Sequence, residues 1–254
     1  MPLNQEQIAE FNEVGFLPYA ELLTSLEVKA LRQRLADIGN EIVSFPTEYV
    51  QIEPMVKSGE LDASPVRFDN VRKIWNLTRY DELFKEYARH PKILDVVQSL
   101  IGPNIKIYVD QTLCKPPRVG SPKPPHQDSA YWTQIDPPNL VICWMALDDA
   151  TEENGCMRFI PGSHKLGVIE HKRLEDFRIE DDKVDYASEV AVPLKAGGCS
   201  FHHSLAMHRT DANRSSKPRI GLTVAYMNAE SKYIGPDPQP EYQLVAGQSF
   251  AGCV

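Results

Sequence analysis

The sequence predicts a mostly-β fold with helices packed outside its sheets, and three observations carry that expectation. Over the first hundred residues the apolar positions recur at helical spacing, whereas from residue 105 the period falls to two. The later strand-like runs are short and divided by Pro- and Gly-rich turns, the pattern of a sandwich or barrel. One run, "LVICWMAL" at 140–147, is apolar on both faces, as a strand between two layers would be. No repeat, low-complexity tract or linker interrupts the chain, so one domain is expected. Residues 1–104 then form a mainly helical flank and loop, 105–230 the β core and 231–254 a C-terminal tail.

The elements follow in order. "TSLEVKALRQRLADIGN" opens on Thr24-x-x-Glu27, a capping box, and Leu26, Ala30, Leu31 and Leu35 recur at helical spacing up to a stop at Gly39. Residues 44–72 are mixed and aperiodic, which suits a long ordered loop; with Tyr19 and Tyr49 they are the candidate lid. "YDELFKEYARHPKILDVVQSLIGP" reads as two short helices divided at Pro91 and closed by Gly102-Pro103. In "IKIYVDQTLCK", Ile105, Ile107, Val109, Gln111 and Leu113 alternate against Lys106, Tyr108, Asp110 and Thr112. "CSFHHSLAMH" and "PRIGLTVAYM" supply two further strands.

Composition narrows the function. At 254 residues and 42% hydrophobic the chain can bury a sizeable core, and its net charge of −8 argues against a nucleic-acid partner. No apolar run approaches the roughly 20 residues needed to cross a bilayer. "MPLNQEQIAEFNEVGF" lacks the basic and apolar regions of a signal peptide, and "FAGCV" is no peroxisomal tripeptide. Five scattered cysteines without C-x-x-C suit free thiols in a reducing compartment, so a cytoplasmic location is expected.

The chemistry concentrates around "KPPHQDSAYW". Residues i and i+2 of a strand share a face, so His126 and Asp128 can reach one ion; a structural histidine beside an aspartate is the plainer reading. A 2-His-1-carboxylate set leaves positions open for non-haem Fe(II) oxygenase chemistry, and "FHHSLAMHRT" offers three histidines in seven residues for the missing ligand. His90 precedes Pro91 at a helix end, His164 lies in the turn "PGSHK", and His171 sits in a charged, exposed-looking stretch, "VIEHKRLEDF". A co-substrate carboxylate needs a cation, which Arg219 can supply with a hydroxyl from Thr210, although Arg209 and Arg214 compete on spacing alone.

"KPPRVGSPKPPHQDSAYW", "WMALDDATEENGCMRFIPGSHKLG" and "FHHSLAMHRTDANRSSKPRIGLTVAY", in this order, resemble the phytanoyl-CoA dioxygenase family of Fe(II)/2-oxoglutarate oxygenases. The likeness runs from "FNEVGFL" to Tyr226 and implies a double-stranded β-helix, the cupin-like jelly roll. It also implies a metal triad of His126, Asp128 and His208, and a co-substrate arginine eleven residues after the distal histidine, at Arg219. Thr210 and Trp144 are implied to line the 2-oxoglutarate pocket, with Lys73, Gln111 and Gln127 as further contacts. His203 is implied to be a supporting or structural residue. Tyr131, Trp132 and Lys115 are the substrate or lid candidates.

The resemblance implies iron, 2-oxoglutarate and O₂ as reactants, succinate and CO₂ as co-products, and hydroxylation of an unactivated C–H bond. Related halogenases replace the carboxylate ligand with a small residue, so Asp128 disfavours halogenation. Desaturation, cyclisation and epoxidation are the neighbouring outcomes. A non-catalytic jelly-roll binding module and a Zn²⁺ or Mn²⁺ cupin-like isomerase or hydrolase are the readings from other classes. "KPPRVGSPK" offers Lys115, Arg118 and Lys123 for the phosphates of a CoA thioester, but in an acidic chain it reads better as a solvated loop. The expected partner is a small organic molecule; fold does not choose among substrates, and oligomeric state is not legible.

Overall fold

The computed structural model describes residues 2–173 and 177–254. Two antiparallel sheets make the core. The larger has eight strands among the described residues: in order Phe16–Tyr19, Cys199–His203, Val141–Ala146, Arg219–Asn228, Ile105–Lys115, Val71–Trp75 and Val50–Ile52, with Leu244–Ala246 also paired to Ile105–Lys115. The smaller sheet runs Val190–Val192, Met157–Phe159, His208–Thr210, Lys123–His126. Trp144 and Ala146 of the large sheet pack on Met157, Phe159 and Val192 of the small one, so the two sheets face each other as a jelly roll.

Each large-sheet strand divides its side chains between two cores. Val141, Cys143 and Met145, with Ile220, Leu222, Val224 and Tyr226, face outward onto the helices, while Trp144 and Ala146 face the second sheet. The strand at 141–146 is buried along its whole length, as its doubly apolar sequence predicts. Outside lie helices Gln5–Val14, Ser25–Gly39, Glu82–Ala88 and Pro91–Ile101. Thr24 and Glu27 form the expected capping box, Pro91 occupies the first turn of its helix, and Gly102 closes it.

Four expectations are corrected. The buried stripe of Ser25–Gly39 is Val28, Leu31, Leu35 and Ile38; Leu26 is 78% exposed and Ala30 is exposed as well. The first hundred residues also contribute three strands to the large sheet, so they are more than a helical flank. Segment 44–72 is no featureless loop: it holds Val50–Ile52, helix Pro54–Lys57 and the fully buried Glu53, paired with Arg72 at 3.3 Å. Finally, the alternation in 105–115 changes face. A bulge opposite Ala225/Tyr226 leaves Tyr108 unpaired, so Ile105 and Ile107 join the helix-side core while Val109 onward turn their odd-numbered side chains inward. Residues 231–254 pack back on the domain: Lys232–Tyr233 pairs with Ile135–Asp136, and Val254 is buried beside Ile135, Leu140 and Met227.

Candidate metal centre

His126 closes the strand Lys123–His126 and faces His208 across the ladder, and Asp128 opens the 3-10 turn that follows. The three side chains each present a ligand atom, all within 4.8 Å of one another. Asp128 Oδ1 stands 3.7 Å from His126 Nε2 and 3.9 Å from His208 Nε2. Ligands at ~2.1 Å from a common ion in cis positions are about 3 Å apart, so a small contraction makes this donor set fit a first-row divalent metal.

The backbone sets the tautomers. His126 Nδ1 lies 2.9 Å from Pro124 O and His208 Nδ1 3.0 Å from Ala206 O. A carbonyl only accepts, so both Nδ1 atoms carry the proton and both Nε2 lone pairs point at the carboxylate. Burial and the neighbouring imidazole of His126 push His208 well below the usual histidine range. Burial alone would raise Asp128, but His208, His126 and His202 together hold its carboxyl well below the usual carboxylate range. Asp128 is thus biased toward the carboxylate and His208 toward the neutral imidazole, the forms that bind a metal.

Next to this cluster the inner face of the large sheet carries a row of opposed residues. Ser200, Trp144, Thr223, Gln111 and Trp75 stand directly opposite one another across five strands. Arg219, 2% exposed, projects from the end of the same central strand, with its Cζ 5.3 Å from the Trp144 ring. Its Nε and Nη1 have no hydrogen-bond partner among the described residues, and neither do Trp144 Nε1, Ser200 Oγ, Thr223 Oγ1 or either ring nitrogen of His202. Burial pulls the Arg219 guanidinium down to about 10. A buried guanidinium with unmatched donors is costly unless an anion completes it, and the unmatched Ser200 and Thr223 hydroxyls on the same sheet face add further polar groups that a bound anion could engage.

Comparison with known proteins agrees. Residues 11–221 match the family model described as Phytanoyl-CoA dioxygenase (PhyH). The chain belongs to the phytanoyl-CoA dioxygenase family. Among curated relatives, phytanoyl-CoA dioxygenase domain-containing protein 1 of Danio rerio is 27% identical, over 92% of this chain and 94% of that protein. The peroxisomal phytanoyl-CoA dioxygenase of Rattus norvegicus is 29% identical, over 91% and 70%. The non-haem α-ketoglutarate-dependent carbocyclase SnoK from nogalamycin biosynthesis superposes with a TM-score of 0.70 at 26% identity, covering 96% of this chain and 97% of its own. EctD of S. alaskensis shares the fold, with a TM-score of 0.77, 20% identity and coverage of 94% and 82%. This is a family of non-haem iron, 2-oxoglutarate-dependent oxygenases, and the jelly roll and the His–Asp–His cluster match it.

The remaining site residues named from the sequence are placed unevenly. Thr210 shares the inner face with His208, Lys73 lies opposite Leu113 beside the row, and Gln111 is in the row itself. Gln127 points away from the cluster: its buried amide donates to Gly167 O and Leu205 O and accepts from Ile169 N. His171, expected in an exposed stretch, is half-buried and accepts the Gln127 N–H at its Nε2, 3.0 Å away; residues 174–176 of that stretch lie outside the described residues. His203 accepts from Leu205 N and packs on His164, on the opposite face from the cluster, so its placement suits the structural role.

Tyr131 stands edge-on to His126, ring centroids 5.9 Å apart, with Lys123 Nζ 2.7 Å from its hydroxyl. Trp132 instead packs on Tyr108 in a satellite core, and Tyr19 packs on Phe201 in the helix-side core; neither faces the cluster. Tyr49 packs on Trp75, the outer end of the inner-face row. Lys115 is buried and donates to Ser121 O and Asp211 O, which makes it a strut between two loops rather than an open substrate contact. No helix among the described residues is long and apolar enough to cross a membrane.

Sequence reasoning overlooked Ser200 and Thr223, and counted His202 only among three histidines offered for the missing ligand. The signal was present: on a two-residue period, 200 and 202 share one face and 223 shares the face of 219.

Proposed function

We propose that this phytanoyl-CoA dioxygenase family member hydroxylates an unactivated C–H bond of a small organic molecule, releasing succinate and CO₂. The observation that carries the reading is the buried His126–Asp128–His208 cluster, carboxylate included, together with a buried arginine whose Nε and Nη1 are unmatched. When bound, Fe(II) with 2-oxoglutarate and O₂ supplies the oxidising power.

The chain's own residues do the rest. His126 and His208 offer Nε2, and Asp128 offers one negative charge, which partly neutralises the ion and fixes it at one end of the jelly-roll interior. Arg219 takes the far carboxylate of 2-oxoglutarate as a two-pronged donor, with the Thr210 hydroxyl beside it and the Trp144 indole as the wall. The Phe16–Phe159 stack, ring centroids 4.6 Å apart, keeps water from the interior behind the cluster. Tyr131, against His126, and Tyr49 with Trp75, at the outer end of the row, are the contacts for the organic substrate.

A second outcome, ring closure or desaturation, draws support from the likeness to the carbocyclase SnoK and is separated from the first by product mass. Succinate release screened against a diverse metabolite panel, with product masses recorded, is the test. A gain of one oxygen supports hydroxylation; loss of two hydrogens supports the second outcome; absence of substrate-stimulated succinate across the panel favours a binding module. The free cysteines, four of them buried, support placing the protein in a reducing compartment such as the cytoplasm.

A further inference from the structure

We propose that His202 is a positioning residue for Asp128: its Nε2–H takes carboxylate Oδ2 and leaves Oδ1 to the metal. This rests on the reading of His126, Asp128 and His208 as the metal centre.

His202 sits on the inner face of Cys199–His203, opposite Ile142 on one side and Phe16 on the other, and is 1% exposed. Its Nε2 stands 3.5 Å from Asp128 Oδ2, whereas both histidine ligands face Oδ1. The two oxygens of the carboxylate are thus already divided between different partners. At 3.5 Å the contact is longer than a formed hydrogen bond, and such contacts in catalytic sites commonly tighten only in the working complex. A carboxylate oxygen accepts only, and no carbonyl holds a proton on His202 Nδ1 as one does in His126 and His208, so its Nε2 can carry the proton toward Oδ2. Neither ring nitrogen has a formed hydrogen bond among the described residues, so no competing bond draws the imidazole away.

The ring is held against sliding. Its centroid is 5.1 Å from the Phe159 ring and 5.0 Å from the His208 ring, and Phe159 is in turn stacked on Phe16. A side chain packed this way orients its neighbour rather than following it.

The consequence is a count of positions. An octahedral ion held by two imidazoles and one carboxylate oxygen would keep three positions open, two that the keto-acid end of 2-oxoglutarate would take and one for O₂. A carboxylate bound through both oxygens would take a fourth site and leave none for O₂. His202 guards against that by keeping Oδ2 engaged.

The test is anaerobic titration of the full-length protein with Mn(II), followed by its electron paramagnetic resonance, in wild type, His202→Phe, His202→Gln and Asp128→Ala. His202→Phe keeps a ring without a donor; His202→Gln restores an N–H at the same reach. The expected result is that His202→Phe weakens Mn(II) binding about tenfold to a hundredfold and alters the resonance, while His202→Gln stays within about threefold of wild type. Should His202→Phe not fold, His202→Met, which also lacks a donor, takes its place. Binding and resonance unchanged in the donorless variant, or equal losses in it and His202→Gln, would overturn the inference while leaving the metal centre standing. Wild type that binds no Mn(II), or Asp128→Ala that binds as tightly as wild type, would instead bring down the metal centre itself.

Discussion

Asp128 is the residue on which the chemistry turns, because it is the anionic donor in the cluster and lies among three imidazoles. Asp128→Ala is expected to abolish substrate-coupled succinate formation, with retained near-normal release as the contradicting result. Arg219 acts at the other end of the interior. Removing a charge-assisted two-pronged contact costs about 1.5–3 kcal/mol, so Arg219→Ala should raise the apparent KM for 2-oxoglutarate roughly tenfold to a hundredfold while Mn(II) affinity is kept. An unchanged KM would move the anchor elsewhere. At this scale residue type and spacing alone favoured a structural histidine beside Asp128, and it was the family resemblance that singled out His126, Asp128 and His208, the three side chains that the fold brings together. The sequence was less legible where a side chain's direction decides its role. Gln127 lies between two ligands yet turns to Gly167 and Leu205, and His202, the neighbour of His203, is the one that reaches Asp128.

At the scale of elements, local chemistry and packing can be separated by single substitutions. The Thr24 hydroxyl and the Glu27 carboxylate cap Ser25–Gly39 reciprocally. Thr24→Ala should cost about 1 kcal/mol and lower the melting temperature by roughly 2–4 °C without changing KM for 2-oxoglutarate. Gly221 lies flat under Trp144, and a Cβ there would overlap the indole. Gly221→Ala should therefore cost about 1–3 kcal/mol and, if the proposed co-substrate site is right, also weaken 2-oxoglutarate binding, since the indole that must move is its proposed wall. A stability loss with unchanged KM would remove Trp144 from the co-substrate site. The capping box was plain in the sequence because it is a contact between residues three apart. The face change within 105–115 was not, because the bulge is fixed by pairing with Tyr226, more than a hundred residues away. The strands at 16–19, 50–52 and 71–75 were missed for a related reason: runs of three to five residues carry too little period to distinguish them from loop.

At the scale of the whole molecule, buried histidines couple stability to pH. His203 is pushed down to about 4 by burial and by His164 and His202, and His208 lies well below its ordinary range. Both are lowered in the folded state, so below about pH 6.5 the unfolded chain binds more protons and stability falls with pH. For His203 the loss continues to about pH 4 and amounts to at most about 3 kcal/mol. Thermal melts from pH 7 to 4 should show this decline, and His203→Asn should flatten it; an equal slope in the variant would assign the loss to other groups.

A sandwich or barrel was legible from the short strands and the jelly roll from the family resemblance, while the N-terminal strands that complete the large sheet emerge only from assembly. The central claim is that one interior holds the metal at His126, Asp128 and His208 and the co-substrate at Arg219. Anaerobic addition of 2-oxoglutarate to the Fe(II)-loaded protein tests it most directly. A visible charge-transfer band should appear in wild type, require more 2-oxoglutarate in Arg219→Ala, and be absent in Asp128→Ala. No band in wild type, or an undiminished band in Asp128→Ala, would contradict the account.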